Sequence, residues 1–166
     1  TSSLQDAEIA LYDIDENRLK ESELMLQTIN KNSNQSRAKI QSFSDRKEAL
    51  KDANFVINAI QVGGYKPSTV IDFEIPKKYG LQQTIGDTTG IGGIFRGLRT
   101  LPVMFDIAKD MEEVCPDAWL LNYTNPMAIL TMGMLKATKI KTVGLCHSVQ
   151  VCVPELFEHL GIKDQY

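Results

Sequence analysis

No stretch of this sequence reaches the roughly eighteen consecutive apolar residues that a membrane-spanning helix needs. Basic charge is not in excess either. The 18 Lys and Arg stand against 21 Asp and Glu, a net charge of −3, and no basic cluster suits nucleic acid or an anionic membrane. Cysteine is scarce: Cys115, Cys146 and Cys152 are odd in number and include no Cys-x-x-Cys pair. That speaks against a disulfide framework or a structural zinc site, and for reduced thiols in the cytoplasm. The opening "TSSLQDAEIA" lacks a basic segment followed by an apolar one, so no secretory signal is expected. The triphosphate-binding pattern G-x-x-x-x-G-K-[ST] is missing, and no G-x-G-x-x-G loop precedes the first strand-like segment.

What is present is ordinary globular material. With 43% hydrophobic and 23% charged residues over 166 positions, the chain can bury a core. "EIALYDID" (Glu8 to Asp15) reads as a buried strand closed by acids. The segment after it has helical periodicity, with Leu19, Leu24, Met25, Leu26 and Ile29 crowding one side. "KIQSFS" predicts a short strand and "DRKEALKDA" a short helix. "NFVINAIQVGGY" predicts a buried strand through Phe55, Val56, Ile57, Ala59 and Ile60, ended by a Gly-Gly break. Residues 67 to 79 read as a helix opened by Pro67. "GDTTGIGGIFRGL" is a glycine-rich loop feeding a long helix over roughly residues 91 to 114, with an interruption expected at Pro102. "DAWLLNYT" and "KTVGLCHS" predict two more strands. "NPMAILTMGMLKAT" predicts a helix with Asn125 as N-cap and Pro126 at its first position, and a last helix ends at Gly161.

Strands alternating with helices predict an α/β fold with a doubly wound, mostly parallel, Rossmann-like sheet. Such a fold opens with a strand and a glycine loop. This chain reads from what looks like the second strand onward. The expectation is a partial NAD-binding domain over residues 1–166, an internal piece of a longer protein whose substrate domain lies elsewhere.

Several residues could carry chemistry. Asp13 ends the first strand, where dinucleotide folds place an acid on the ribose of NAD. It equally reads as a strand-ending acid before a helix start at Asp15 and Glu16. The glycine-rich loop, with Asp87 and Arg96, reads either as an anion or polar-ligand cradle or as a plain turn. Asn125 reads as a helix start, or as an amide offered at the sheet's C-terminal edge to a hydroxyl. Cys146 is either an inert thiol or a ligand for a divalent ion. On an extended chain His147 would point to the opposite face, available for acid–base work or substrate contact. Cys115 and Cys152 read as core or helix-face thiols, and His159 as a cation near a helix C-terminus.

The segments "IALYDID", "QVGGYKPSTVIDFEIPKKYGLQQTIGDTTGIGGIFRGLRTLP", "MEEVCPDAWLLNYTNPMAI" and "VGLCHSVQ" together resemble glycoside hydrolase family 4, and look most like its α-galactosidase (melibiase) members. The resemblance implies an NAD- and divalent-metal-dependent glycosidase, an exception to two-carboxylate chemistry. In that family NAD⁺ takes a hydride from C3 of the sugar, and a base then removes the acidified C2 proton. A metal, typically Mn²⁺, stabilises the resulting charge. The leaving group is eliminated, water adds, and the hydride returns.

Carried over by the resemblance, Asp13 would bind the adenosine ribose and Cys146 the metal. Asn125 would contact sugar and cofactor, His147 would lie beside the substrate and assist the leaving group, and Asp87 would line the sugar site. Cys-His-Ser resembles the α-galactosidase version of this segment rather than the 6-phospho-sugar versions. A second metal-ligating histidine and the tyrosine that acts as base are expected beyond residue 166, so the chain alone is expected to be inactive. The full-length protein would be a cytoplasmic homodimer or homotetramer acting on a small-molecule glycoside, with no nucleic-acid or membrane partner. Two other readings stand beside this one. A lactate/malate-type NAD-dependent dehydrogenase would carry Asp-x-x-Arg after the last strand, where this sequence has "LCHSVQV". A non-catalytic NAD-fold module would carry no such chemistry at all.

Overall fold

The computed structural model describes residues 5–86 and 88–162. It shows the expected α/β class: every strand pairing is parallel and helices intervene between strands. The strands form two pieces, a pair β1 (Glu8–Tyr12) and β2 (Lys39–Phe43), and a trio β3 (Phe55–Asn58), β4 (Trp119–Asn122) and β5 (Lys141–Gly144) in that order. That is the pairing the doubly wound order 3-2-1-4-5-6 gives to strands two to six taken without strand one. The chain divides into two compact units, Thr1–Asn54 with Lys109–Pro116, and Phe55–Ala108 with Asp117–Tyr166. No helix among the described residues is long and apolar enough to cross a membrane.

In the first unit, β1 and β2 run in register from Glu8↔Lys39 to Tyr12↔Phe43. Helix α1 (Glu16–Asn34) connects them. Asp15 starts α1 because its carboxylate accepts the Asn17 and Arg18 N–H groups at 2.9 and 3.1 Å, donors that the first turn otherwise leaves unpaired. Only Leu19 of its apolar residues is fully buried, while Leu24, Met25 and Ile29 are exposed. This corrects the single apolar face expected there: at 100° per residue Leu24 and Met25 fall away from the side that carries Leu19 and Leu26. Helix α2 (Arg46–Leu50) is capped by Asp45, which accepts the Glu48 N–H. Arg46 and Lys47 pair with Asp110 and Glu113, and Leu50, Met111 and Cys115 are buried.

In the second unit, Asn58, Asn122 and Gly144 share one row across β3, β4 and β5. One face of this sheet is buried at Leu120, Asn122, Asn58 and Thr142, beside buried Met104, Ala108, Leu130 and Met134. Each such Leu or Met contributes roughly 1.5–3 kcal/mol by leaving water. The other face is not covered: Phe55 is 66% and Ile57 69% exposed. Among the described residues β3 is therefore not buried throughout, because successive residues of a strand face opposite sides.

Helices α3 (Val70–Lys78), α4 (Gly90–Val114), α5 (Met127–Ala137) and α6 (Ser148–Leu160) complete the chain. Two sequence expectations need correction. α4 runs uninterrupted past Pro102, which is solvent-exposed, so the carbonyl it leaves unpaired can be hydrated. Asn125 does not cap α5: the helix starts at Met127, and Pro126 takes the cap position with no side-chain bond. Pro67 likewise does not open α3, which is preceded by a separate helical turn, Gly64–Thr69.

Candidate functional site

The C-terminal ends of β3, β4 and β5 converge. The Tyr123 N–H donates to the Asn58 carbonyl at 2.8 Å and the Leu145 N–H to the Asn122 carbonyl at 3.0 Å. The pairing thus continues one residue past each strand, and Asn125 and Cys146 leave adjacent strands at the same edge. Open α/β sheets bind ligands at this edge. Asn125 is half-buried, and no described residue hydrogen-bonds its side-chain amide.

Cys146 and His147 are both exposed, and their backbone differs from the expectation. β5 ends at Gly144, Cys146 lies in the connection, and His147 has helical φ and ψ of −65° and −23° at the start of α6. The opposite-face argument for an extended pair therefore does not apply. The end of β5 is set by where its backbone pairing stops, which the apolar run "VGLC" does not mark.

Close packing holds this edge in place. A Cβ on Gly144 would meet the Met127 sulfur and sit 2.5 Å from Thr131 Oγ1, so only glycine lets β5 approach α5 this closely. The Thr131 hydroxyl is buried with no hydrogen-bond partner among the described residues.

Sequence reasoning missed the polar groups beneath the edge. Asn58, Asn122 and Thr124 are 0–4% exposed and bonded to one another. The available signal was that "FVIN" and "WLLN" are apolar runs ending in the same residue. It missed Arg99 as well. Its guanidinium grips the buried Asp72 carboxylate through two bonds, at 2.6 and 3.1 Å, and donates to the Val62 carbonyl at 3.1 Å. That ties the loop after β3 to α3 and α4. Beside it a groove of about 540 Å³ is lined by Gln61, Tyr65, Phe73, Glu74 and Arg96 among others.

The glycine-rich loop resolves partly into packing. The Gly92 N–H donates to Gln83 Oε1 at 3.0 Å, and a Cβ on Gly92 would strike the Gly86 carbonyl oxygen and lie 2.7 Å from that of Asp72. Asp87, expected to line a sugar site, lies outside the described residues.

Asp13 belongs to the first unit. Its carboxylate accepts two bonds from Arg18, at 2.6 and 2.8 Å, and one from the Asp15 N–H at 2.9 Å. The Arg18 guanidinium holds the Asp13 carboxyl below the usual carboxylate range, against an opposing effect of burial. The Ile14 N–H contributes as well, so the roughly four acceptor positions of this carboxylate are largely engaged by its own segment. Among the described residues no three His, Cys, Asp or Glu side chains cluster as a metal site. Cys146 fits a divalent ion only as one donor of a set completed elsewhere. Cys115 is buried, and burial pushes its thiol up, assisted by Asp52. None of the three cysteines is in a disulfide. His159 Nδ1 lies 2.7 Å from the Glu155 carbonyl, in the last turn of α6.

With this geometry in place, the residue pattern of the family described as family 4 glycosyl hydrolase matches residues 1–162. The chain belongs to that family. It is 69% identical to an α-galactosidase of Bacillus subtilis over 163 residues, 98% of this chain and 38% of that protein. A crystal structure of a Thermotoga maritima 6-phospho-β-glucosidase with manganese, NAD⁺ and glucose-6-phosphate superposes with a TM-score of 0.80 at 28% identity. It spans 95% of this chain and 37% of that one. A lactate dehydrogenase of Cryptosporidium parvum matches with a TM-score of 0.58 at 14% identity over 94% of this chain and 43% of that one, a likeness of fold alone. The chain thus spans less than half the length of the relatives it matches.

Proposed function

We propose that this chain is the nucleotide-binding part of a longer NAD- and divalent-metal-dependent glycosidase of the α-galactosidase type. The observation that carries the reading is the convergence of Asn125 and Cys146-His147 at one C-terminal sheet edge in a family 4 chain. High identity to an α-galactosidase supports the sugar class. Manganese and NAD⁺ in a related crystal structure support the cofactors.

In this reading Asp13 accepts a ribose hydroxyl of NAD, and Cys146 supplies a thiolate to the metal. Asn125 donates to and accepts from sugar hydroxyls and the cofactor. His147, exposed at the start of α6, reaches the substrate and passes a proton to the departing oxygen, and Asp87 lines the sugar site. When bound, NAD⁺ would take up and return a hydride, and the cation would draw charge from the sugar oxygens. The further metal ligand and the base that removes the C2 proton belong to the rest of the protein, so the 166 residues alone are inactive. In this reading the full-length protein is a cytoplasmic homodimer or homotetramer with a small-molecule glycoside substrate; thiols without disulfides support the compartment, and the acidic net charge suits neither nucleic acid nor an anionic membrane. Hydroxy-acid dehydrogenation is not favoured, since no arginine follows β5 in "LCHSVQV" to hold a carboxylate.

The deciding experiment uses the full-length protein. Release from α-galactosides, α-glucosides and their 6-phosphates is compared with NAD⁺ or Mn²⁺ supplied or withheld, in wild type, Cys146→Ser, Asn125→Ala and Asp13→Asn. Loss of turnover without either cofactor, and in Cys146→Ser, is expected. Turnover indifferent to NAD⁺ would overturn the mechanism.

A further inference from the structure

We propose that Asn58, Asn122 and Thr124 form a positioning device that aims the Asn125 amide at the ligand; the proposal rests on the glycosidase reading above. Asn122 is 0% exposed, and its amide holds the Thr124 backbone twice. Oδ1 accepts the Thr124 N–H at 3.2 Å, and Nδ2 donates to the Thr124 carbonyl at 3.1 Å. This is the bond pair a neighbouring strand would make, so the Thr124–Asn125 peptide cannot rotate without stranding a buried polar group.

Asn58 braces the arrangement. Its Nδ2 donates to Asn122 Oδ1 at 2.8 Å and lies 3.1 Å from both Thr124 Oγ1 and Met104 Sδ. The Thr124 hydroxyl in turn donates to the Ile60 carbonyl at 3.1 Å. Both ends of the Asn122 amide are thereby bonded to the Thr124 backbone, and Asn58 and the Ile60 carbonyl hold the Thr124 side chain.

On the far side of Asn125 stands Pro126, whose ring fixes its own φ near −75°. Asn125 is thus held between a clamped residue and a proline, while its own amide has no hydrogen-bond partner among the described residues. The backbone is fixed and the side chain is kept for something else. An apolar pair in place of Asn58 and Asn122 would suit the surrounding Leu and Met as well for packing alone. The amides add orientation, the quantity on which a ligand contact depends most steeply.

The test is a double-mutant cycle in the full-length protein, reading kcat and KM for an aryl α-galactoside with NAD⁺ and Mn²⁺. Asn122→Leu is expected to lower kcat/KM by about 10- to 100-fold while the variant still unfolds cooperatively. In an Asn125→Ala background the same change is expected to lower it less than about twofold, because the side chain being aimed is gone. Equal losses in both backgrounds would overturn the proposal. Should Asn122→Leu fail to fold, Asn58→Ala removes the brace and is run through the same cycle. A crystal structure of the soluble variant supplies an arm independent of activity. A reoriented Thr124–Asn125 peptide supports positioning and an unmoved one refutes it. If wild type hydrolyses no glycoside the functional reading fails, and the structural arm still decides this one.

Discussion

Asn58 and Asn122 are register partners on adjacent parallel strands, and the amide of the first donates to the amide oxygen of the second at 2.8 Å. Both are buried beneath the edge from which Asn125 and Cys146 emerge. β3 and β4 each end in a buried amide, and the Asn122 amide directs its hydrogen bonds into the turn that follows β4.

Replacing Asn58 with Asp puts a carboxylate where a donor is required. Burial raises the folded pKa of such a group, so its stability is retained below the usual carboxylate value of about 4 and lost as pH rises toward the raised value. Urea midpoints of Asn58→Asp are therefore expected to fall further below wild type at pH 7 than at pH 4. Asn58→Ala is expected to lose about 1–3 kcal/mol with no such pH dependence.

Removing Arg99 leaves the Asp72 carboxylate, 1% exposed, without its partner. Arg99→Ala is expected to lose about 3–5 kcal/mol in chemical denaturation. The double replacement Arg99→Met with Asp72→Leu is expected to lose less than Arg99→Ala, since no charge then remains buried.

Asp13 is held in its charged form by Arg18. A lowered folded pKa means the pair's contribution is complete above about pH 4 and is lost as pH falls through the folded value. The stability gap between wild type and Arg18→Ala is expected to be constant from about pH 5 to 8 and to shrink as pH falls below the usual carboxylate range. A gap that instead changes between pH 6 and 8 would show that another group titrates.

Cys115 is buried with its thiol pushed up, whereas Cys146 and Cys152 are exposed. Titration of the 166-residue chain with an aromatic disulfide near neutral pH is expected to show two fast thiols, and the third only on unfolding. In the full-length protein Mn²⁺ is expected to slow modification of Cys146 specifically, followed by mass spectrometry of the labelled peptides.

Gly144→Ala would force β5 away from α5 at Met127 and Thr131. Overpacking of this kind is expected to lose about 1–3 kcal/mol in thermal or urea unfolding. Because Cys146 lies two residues on, metal affinity is expected to weaken with it.

The sequence by itself determined the alternation of strands and helices, the acidic starts of α1 and α2, and the residue pattern that marks family 4. These depend on neighbours a few positions apart: periodicity, capping and short motifs act within one element. Only the tertiary structure decided that Asn58 meets Asn122 across 64 positions of sequence, that Arg99 closes on Asp72, and that Phe55 and Ile57 face outward. It also decided that Asn125 leaves the capping of α5 to Pro126. Those outcomes follow from strand register and from which faces find a covering layer. Register is a relation between distant segments, and a pattern within one strand does not name the residue it will face.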